Sequence, residues 1–461
     1  MSNYLSPINE LEYDPNDVRS VIDYAQKLLS GTLRPHLSAT QLAASSSGKG
    51  DFGNLLEEAY FKVKNNNESR PDIYESGIEI KSGQVVADKN LKDSLKERLK
   101  ISMIDYMSGF DSENLLESHL WTKLEKILLM LFRRNQSLRI DQECVFADLL
   151  TWTSDDVKQM SEDWLNIKQI VLSGKANDLS EGSTWYLGAC TAGASSLSLR
   201  KAPGDIRVKV RAFSLKRPYL NYKLGYVGKV NAPKILLTPK VGETLDSFIL
   251  TNMKPFFGKS VDQVATLLHR PKLSESFAKN MKSLLARAIL EEISNKHTDN
   301  ISTDFEQFRK AGVIEKAVTL ETSGALKESI SFPAFKWKEL DEEDDWENSV
   351  LYSILTTKFF FTVFQKVKSG EPILLGCFFW TMPSKNLEAM KDLWTDTKLK
   401  ISNNDYDNFL GQAQHEVGHV RPHAANALDK FPTPQGGSQT KKSFWLNSSY
   451  IKNIVAAELK L

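Results

Sequence analysis

Asp72, Glu79 and Lys81 form a short pattern whose residue types could carry out chemistry on a phosphate. Six residues separate Asp72 from Glu79, and one residue separates Glu79 from Lys81. Two carboxylates are hard oxygen ligands that can hold Mg²⁺ beside a scissile phosphodiester. Because side chains alternate along a strand, Lys81 would share a face with Glu79 and could orient an attacking water or neutralise developing charge. An ordinary exposed strand with a solvated glutamate and lysine would show the same pattern.

The strand that must carry this pattern is predicted over residues 78–81. Gly77 permits a turn directly before it, because glycine adopts backbone conformations that other residues rarely reach. Ile78 and Ile80 alternate with Glu79 and Lys81. We therefore expect the two isoleucines to face the core and the charged pair to face the site.

A helix just upstream is predicted to supply a third carboxylate. Apolar residues recur at helical spacing over residues 52–63, and Asp51 is a candidate N-cap. Glu57 lies on this helix four residues after Gly53, so the surface near it lacks a side chain and can admit a ligand. Taken alone, Glu57 would more simply be a solvated helix residue. Beside the acidic pair downstream, it is the missing part of a metal-binding site.

Taken in order, these motifs resemble the MutH-related family of DNA endonucleases, which includes type II restriction enzymes that cut at GATC. The matching stretches begin with Lys49-Gly50-x-x-Gly53-x-Leu55-Leu56-Glu57, Pro71-Asp72 and Gly77-Ile78-Glu79-Ile80-Lys81. Ser118-His119-x-x-x-Lys123-Leu124 is similar to the family segment that carries another active-site lysine. Further similar segments are residues 179–182, 212–216, 332–336, 419–423 and 443–447. The resemblance spans nearly the whole chain.

The resemblance implies a mixed α/β fold of two tandem restriction-endonuclease-like (MutH-like) domains, each with a mixed sheet flanked by helices. It implies that Asp72 and Glu79 bind Mg²⁺ and that Glu57 assists as a ligand or through water. Lys81 would position or activate the attacking water, and Lys123 would support the phosphate or close the site. The implied reaction is cleavage of double-stranded DNA at GATC, leaving a 5′-phosphate.

The composition is that of an ordinary globular protein. With 461 residues, two or three domains are expected. The chain has no apolar run of about eighteen residues, which predicts no membrane span, and its N-terminus lacks a basic and apolar leader. Cys144, Cys190 and Cys377 lie far apart without metal-ligand spacing. We therefore expect a cytoplasmic protein with reduced cysteines in or near its core.

A net charge of +1 means that DNA binding must come from local basic clusters rather than from a generally basic surface. The expected partner is double-stranded DNA containing GATC. We expect the protein to be a monomer in solution that can dimerise or form loops on DNA. The candidate DNA-binding residues, taken from basic segments and family-like motifs, are Arg211, Lys216, Arg421, His423 and Lys441.

The chain repeats itself weakly across a boundary near residue 230. Residues 162–165 resemble 391–394, and residues 212–216 resemble 443–447. The stretch 226–243, which is interrupted by glycine and proline, is the predicted linker. We therefore expect a catalytic MutH-like endonuclease domain in residues 1–230. A catalytically degenerate MutH-like domain that binds DNA is expected in residues 231–461.

The second half is predicted to lack the catalytic set. On the repeat alignment, Ile314 stands at the position of Glu79 and Gln307 at that of Asp72, while Lys316 is retained. A lysine without carboxylates cannot hold a metal ion, so one active site is expected, in the first half.

The second half nevertheless keeps a family-like loop. Residues 420–427 closely match the MutH loop that reads GATC, whereas the first half has an unrelated stretch at 189–194. In GATC-cutting restriction enzymes of this family, the second half is an effector domain that binds another copy of the site. The resemblance implies the same role here.

One other metal-binding motif competes with this interpretation. His415-Glu416-Val417-Gly418-His419 matches H-E-x-x-H, the zinc metallopeptidase signature. That motif works on a continuous helix, which Gly418 within it and Pro422 after it oppose. We therefore reject zinc-peptidase function. Two alternatives to a restriction enzyme stay open: a MutH-like strand nickase recruited by a repair partner, and a DNA-binding protein without enzymatic activity.

Overall fold

The computed structural model divides the chain into two compact units. The first unit comprises Met1–Leu179 and Thr184–Lys229, and the second comprises Ser180–Ser183 and Val230–Leu461. The structure describes residues 3–45, 51–65, 70–87, 93–95, 97–135, 138–193, 198–226, 235–240, 242–270, 273, 281–295, 305–368 and 370–461. Lys49 and Gly50 of the first family-like motif, and residues 227–234 and 241 of the predicted linker, lie outside these ranges.

The first unit mixes helices and strands along the chain. Its helices are α1 (Val18–Gln26), α2 (Ala39–Ala44), α3 (Asp51–Leu55), α4 (His119–Leu124), α5 (Ser154–Leu172) and α6 (Arg217–Lys223). Its strands are β1 (Glu79–Ala87), β2 (Asp93–Leu95), β3 (Leu99–Met103), β4 (Ile127–Arg133), β5 (Cys144–Leu150), β6 (Leu187–Thr191), β7 (Leu199–Ala202), β8 (Ile206–Lys209) and β9 (Arg211–Leu215).

A mixed sheet forms the base of the first unit. Its strand order is β2-β1-β4-β5, with β1 parallel to β4 and the other pairs antiparallel. Strand β4 is buried from Ile127 to Phe132, as expected for an apolar strand covered on both faces. Apolar residues of α1 and α3, including Val21 and Phe52, share its core. A second sheet, β3-β9-β6, and the hairpin β7-β8 complete the unit.

The second unit has a similar sequence of elements. Its helices are α7 (Leu245–Met253), α8 (Val261–Leu267), α9 (Met281–Ile293), α10 (Glu306–Ala311), α11 (Trp337–Asp341), α12 (Val350–Leu355), α13 (Ser384–Ser402) and α14 (Ser448–Leu459). Its strands are β10 (Ile314–Leu320), β11 (Ile330–Ser331), β12 (Phe359–Val367), β13 (Gly370–Trp380), β14 (Gly418–Pro422), β15 (Lys430–Pro432), β16 (Ser438–Thr440) and β17 (Lys442–Leu446).

The two units share one strand topology. In the second unit, β10 is parallel to β12 and β13 is antiparallel to it, which repeats the arrangement of β1, β4 and β5. The sheet β11-β17-β14 corresponds to β3-β9-β6, and the hairpin β15-β16 corresponds to β7-β8. The fold is therefore a mixed α/β fold with helices flanking mixed sheets, and the weak sequence repeat corresponds to a repeated topology.

Some element boundaries differ from the sequence-based predictions near the candidate site. The strand predicted to begin at residue 78 is β1, which extends to Ala87. The helix predicted over residues 52–63 changes type, because α3 ends at Leu55 and a π-helical segment covers Leu56–Tyr60. Asp51 is the first residue of α3 rather than the residue before it, so its prediction as an N-cap was wrong.

The three cysteines are free and buried, as the sequence predicted. Among the helices of the described ranges, none is both long enough and apolar enough to cross a membrane.

Candidate active site

Glu79 and Lys81 lie at the start of β1, within the parallel pair with β4. Glu79 stands opposite Ile127 and Lys81 opposite Leu129. The Glu79 side chain is 1% exposed, and Lys81 Nζ lies 2.5 Å from its Oε1. A carboxylate buried this deeply needs a charged partner. The alternation of β1 supplies it, since it places Lys81 on the same face.

A tight turn brings Asp72 back to the same strand. Ile73 and Ile78 pair across the turn, and Gly77 adopts a left-handed backbone conformation with φ +71°. The Ile80 amide then donates to Asp72 Oδ2 at 2.9 Å, which fixes the carboxylate beside β1. Ile78 and Ile80 are buried, as predicted. The six residues between Asp72 and Glu79 are therefore the residues that form this turn.

Lys123 reaches the same carboxylate from helix α4. The helix begins after Ser118, whose hydroxyl accepts the Trp121 amide as an N-cap. Lys123, in the last turn, places Nζ 3.2 Å from both carboxylate oxygens of Glu79. Two lysines from different elements thus contact one buried glutamate.

Glu57 joins the cluster from a π-helical segment. The Phe61 amide donates to the Leu56 carbonyl at 3.2 Å, five residues back, where an α-helix would bond four residues back. This wider turn changes the direction of the residues it contains and carries Glu57 into electrostatic range of Asp72 and Glu79. Single π turns of this kind occur frequently at functional sites.

Burial and neighbouring charges shift the pKa values of Glu57, Asp72 and Lys81. Burial, followed by the charges on Asp72 and Glu79, raises the pKa of Glu57 to about 8, although Lys81 and Lys123 oppose the shift. Burial and the Glu79 charge raise the pKa of Asp72 to about 6. For Lys81, burial favours the neutral amine, but the surrounding carboxylates outweigh it and raise the pKa. With Glu57 protonated at neutral pH, two carboxylates face two ammonium groups, and an excess of negative charge arises only when Glu57 ionises.

The cluster has the donor chemistry of a divalent cation site. In the described part of the chain, no three His, Cys, Asp or Glu side chains converge closely enough to form a ready-made metal site. Glu79 is instead engaged by lysines. Carboxylate oxygens are the ligands that hard cations such as Mg²⁺ prefer, and a cation would relieve the repulsion that raises the pKa of Glu57 and of Asp72. The residues present therefore fit such an ion.

Arg421 and His423 lie on the exposed end of β14 and just beyond it. The Arg421 guanidinium carbon is 3.7 Å from the centre of the Trp445 ring, and the His423 ring approaches the same indole edge-on at 5.3 Å. Stacking on an indole restrains the guanidinium while leaving its N–H edge exposed. Both side chains are exposed, and their contact with DNA stays a prediction.

Lys441 is less available than these two residues. It forms an ion pair with Asp429, and its Nζ lies 4.4 Å from the centre of the Phe431 ring. A phosphate would have to compete with the Asp429 carboxylate for this lysine.

Arg211 and Lys216 contradict their prediction as DNA contacts, because both are buried. Arg211 is 7% exposed and donates through Nη1 to the Ala189 carbonyl at 3.1 Å. Lys216 is 5% exposed, donates to the Thr184 carbonyl, and faces the buried carboxylate of Asp163. A basic residue type in the sequence does not reveal which face of an element it occupies, and here both cations serve groups inside the fold.

Trp445 is a residue whose role the sequence reasoning missed. It pairs with His419 across β14 and β17, so its ring lies on the same sheet face as Arg421. The signal was present in the motif of residues 443–447, in which a large aromatic residue follows a phenylalanine of the core. The position of the Trp445 ring beside Arg421 depends on the strand register, which cannot be read from the sequence alone.

The H-E-x-x-H motif forms no helix. Gly418 begins β14, so His415 and His419 lie on a turn and a strand. His415 Nδ1 accepts the Gly418 amide at 3.1 Å, and His419 Nδ1 is 2.6 Å from Asn447 Oδ1. The rejection of a zinc-peptidase site is confirmed, since the two imidazoles have separate structural partners.

Two comparisons with known proteins bear on this site. The model of a family described as DNA mismatch repair enzyme MutH matches residues 61–163. The type II restriction enzyme Sau3AI of Staphylococcus aureus is 31% identical over 464 residues, covering 88% of this chain and 92% of that enzyme. The matched MutH segment includes Asp72, Glu79, Lys81 and Lys123, whereas Glu57 precedes it.

Proposed function

The chain belongs to the MutH-related family of type II restriction enzymes, and we propose that it hydrolyses both strands of double-stranded DNA at GATC with Mg²⁺. It is a site-specific deoxyribonuclease, and its target is double-stranded DNA. The observation that carries the proposal is the convergence of the other four predicted residues around the buried carboxylate of Glu79.

Asp72 and Glu79 would hold the metal ion, with Glu57 as a further ligand or acting through water. All three provide oxygen donors, and two of them have a raised pKa in the absence of a cation. When bound, Mg²⁺ supplies Lewis acidity at the phosphate and lowers the pKa of bound water.

Lys81 would position or activate the attacking water, and in the metal-free protein it carries its proton. The carboxylates around it hold its pKa above the usual value despite burial. It therefore keeps its charge and can donate to an attacking water or to a nonbridging phosphate oxygen. Lys123, which contacts the same glutamate, would neutralise phosphate charge and hold α4 over β1.

The second unit would bind another copy of GATC as an effector domain. It keeps an exposed Arg421 on the Trp445 ring and the family-like loop that follows. It has no counterpart of the acidic pair, since Ile314 begins β10 where Glu79 begins β1. Gln307, at the Asp72 position, is instead hydrogen-bonded to the Leu237 backbone.

Digestion of supercoiled plasmids tests the proposal. Unmethylated and adenine-methylated plasmids would be incubated with Mg²⁺ or with EDTA, and the ends of the products would be sequenced. We expect linear fragments ending at GATC with 5′-phosphates, formed only in the presence of the divalent ion. Cleavage at unrelated sequences, or equal cleavage in EDTA, would contradict it.

A MutH-like strand nickase is the second candidate. The match of residues 61–163 to the mismatch-repair family favours it. A nickase would convert the supercoiled plasmid to the open circular form and stop there. A restriction enzyme would continue to linear DNA.

A further inference from the structure

Lys316 in the second unit occupies the position that Lys81 has in the first unit. Glu79 begins β1 opposite the first residue of β4, and Ile314 begins β10 opposite the first residue of β12. Each lysine follows two residues later, on the same face as the residue that begins the strand. The repeated register therefore makes the two lysines structural equivalents.

Two charged residues near Lys81 in the first unit, Glu79 and Lys123, have apolar equivalents in the second unit. Ile314 replaces Glu79, and Ile354 of α12 stands where α4 carries Lys123, since both helices have six residues and an N-cap serine. The hydrogen bond of the Lys316 ammonium is to the Ser331 carbonyl, at 3.3 Å.

Lys316 is therefore a half-buried cation without a compensating charge. Among the described residues, no carboxylate pairs with it, and burial lowers its pKa. A desolvated ammonium held by one neutral carbonyl is stabilised when an anion binds beside it. Ile314 stands at the position equivalent to Glu79, so Lys316 has no carboxylate beside it there and is suited to bind an anion.

A hydrogen bond links Lys316, in the sheet β10-β12-β13, to the neighbouring sheet β11-β17-β14, which carries the exposed Arg421. Ser331, which accepts the Lys316 hydrogen bond, pairs with Trp445 across β11 and β17. Trp445 in turn carries the Arg421 guanidinium at 3.7 Å. Lys316 and Arg421 are therefore linked through two intermediate residues, Ser331 and Trp445.

We propose that Lys316 binds a backbone phosphate of the DNA duplex held by the second unit, beside the contact made by Arg421. The inference rests on the proposed effector role of this unit and adds to it a specific phosphate contact. Because the second unit lacks the acidic pair, its contact with phosphate needs no metal ion. The ionised carboxylates of the first unit, by contrast, repel phosphate until a cation is bound.

Stimulation of cleavage by a short duplex tests this contact in the full chain. A plasmid with one GATC site would be cut with Mg²⁺ in the presence of increasing amounts of a short GATC duplex, at low and at moderate salt. The half-stimulating duplex concentration reports the affinity of the effector unit. Lys316→Gln is compared with the charge-keeping Lys316→Arg and with Lys452→Gln, which removes one charge from the exposed side of α14.

Lys316→Gln should raise the half-stimulating concentration about tenfold at low salt, the loss expected for one hydrogen bond to a charged group. One phosphate contact contributes about 0.9 to the salt slope, so the difference should shrink about 3.5-fold between roughly 50 and 200 mM salt. Lys316→Arg and Lys452→Gln should behave like the wild type. The rate without added duplex should be unchanged in the control variant Lys452→Gln.

The possible failures are distinguishable. If the duplex never stimulates the wild-type chain, both the effector proposal and the role of Lys316 are overturned. If it stimulates the wild type and Lys316→Gln equally, the phosphate contact alone is overturned. A raised half-stimulating concentration with an unaltered salt slope would also overturn it, since the lysine would then only hold Ser331 in place.

Discussion

Lys123 Nζ lies 3.2 Å from each carboxylate oxygen of Glu79, although the two residues are 44 positions apart. The contact joins helix α4 to strand β1 and places a second lysine on a carboxylate that Lys81 already contacts. Strand β1, helix α4 and the turn that carries Asp72 therefore meet at Glu79 and form one site. Its removal should affect every other member of the cluster.

Asp72→Ala or Glu79→Ala should abolish cleavage and leave DNA binding largely intact, because the carboxylates hold metal rather than bases. We expect the cleavage rate to fall at least about 10³-fold, since metal assistance is worth several kcal/mol. Binding can even tighten when a carboxylate near the phosphate is removed. Single-turnover cleavage and fluorescence anisotropy on the same duplex measure the two quantities. Near-wild-type cleavage in either variant would remove that residue from the metal site.

Lys81→Ala should slow cleavage by about 10²–10³-fold, the usual effect of losing a group that stabilises developing charge. Lys81→Arg should recover only part of the rate, because a planar guanidinium does not fit the space of a compact ammonium between Glu79 and Asp72. Lys158→Ala, on the exposed side of α5, is the control for general loss of positive charge. Full activity of Lys81→Ala would show that the lysine is a bystander.

The grouping of the candidate catalytic residues could be predicted from the sequence because local rules position three of them. The turn at Gly77 and the alternation of β1 fix Asp72, Glu79 and Lys81 relative to one another within a few residues. The contact of Lys123 with Glu79 is long-range, and only the family resemblance pointed to that lysine. The π-helical geometry around Glu57 could not be predicted, because hydrophobic periodicity does not distinguish an α turn from a π turn over five residues.

The DNA-contact predictions failed for Arg211 and Lys216, because the side chains of both residues are directed into the fold. Arg211 and Lys216 were predicted from their basic type, yet the register of β9 directs Arg211 inward and the end of the strand directs Lys216 toward Asp163. Arg421 is exposed because β14 ends at the edge of its sheet. Such differences depend on tertiary packing rather than on residue type.

Lys216→Ala should destabilise the first unit without a specific effect on DNA. The variant removes the ammonium that faces the buried Asp163 carboxylate and donates to the Thr184 carbonyl, and we expect it to cost about 1–3 kcal/mol. Denaturant unfolding, followed by tryptophan fluorescence, measures the loss. Weaker DNA binding with an unchanged free energy of unfolding would restore Lys216 as a DNA contact.

The stability of the metal-free protein should fall as the pH rises. Glu57 and Asp72 have pKa values of about 8 and about 6, both above the unfolded values. The folded chain therefore holds protons that the unfolded chain releases. The resulting stability is fully present below about pH 4, the unfolded pKa range, and is lost as the pH passes the folded values.

Mg²⁺ should consequently raise the melting temperature more at about pH 8 than at about pH 5, because the cation replaces the bound protons. Thermal unfolding at both pH values, with and without the ion, provides the measurement. Glu57→Gln, which cannot ionise, should weaken the pH dependence of the metal-free protein. An undiminished dependence in this variant would exclude Glu57 as its source.

Arg421→Ala should slow cleavage although the residue belongs to the second unit and is not one of the proposed catalytic residues. A bidentate contact with guanine is worth roughly 1–3 kcal/mol, so the variant should lose about ten- to a hundredfold in effector affinity.

If binding at the second unit favours the active state of the first, the two sites share a coupling free energy. The wild type should then cut a plasmid with two GATC sites faster than one with a single site, because tethering raises the effective concentration of the second copy. Arg421→Ala should lose this advantage, whereas Lys452→Ala should keep it. Equal rates on the two plasmids, together with an unaffected Arg421→Ala enzyme, would reduce the second unit to a structural support.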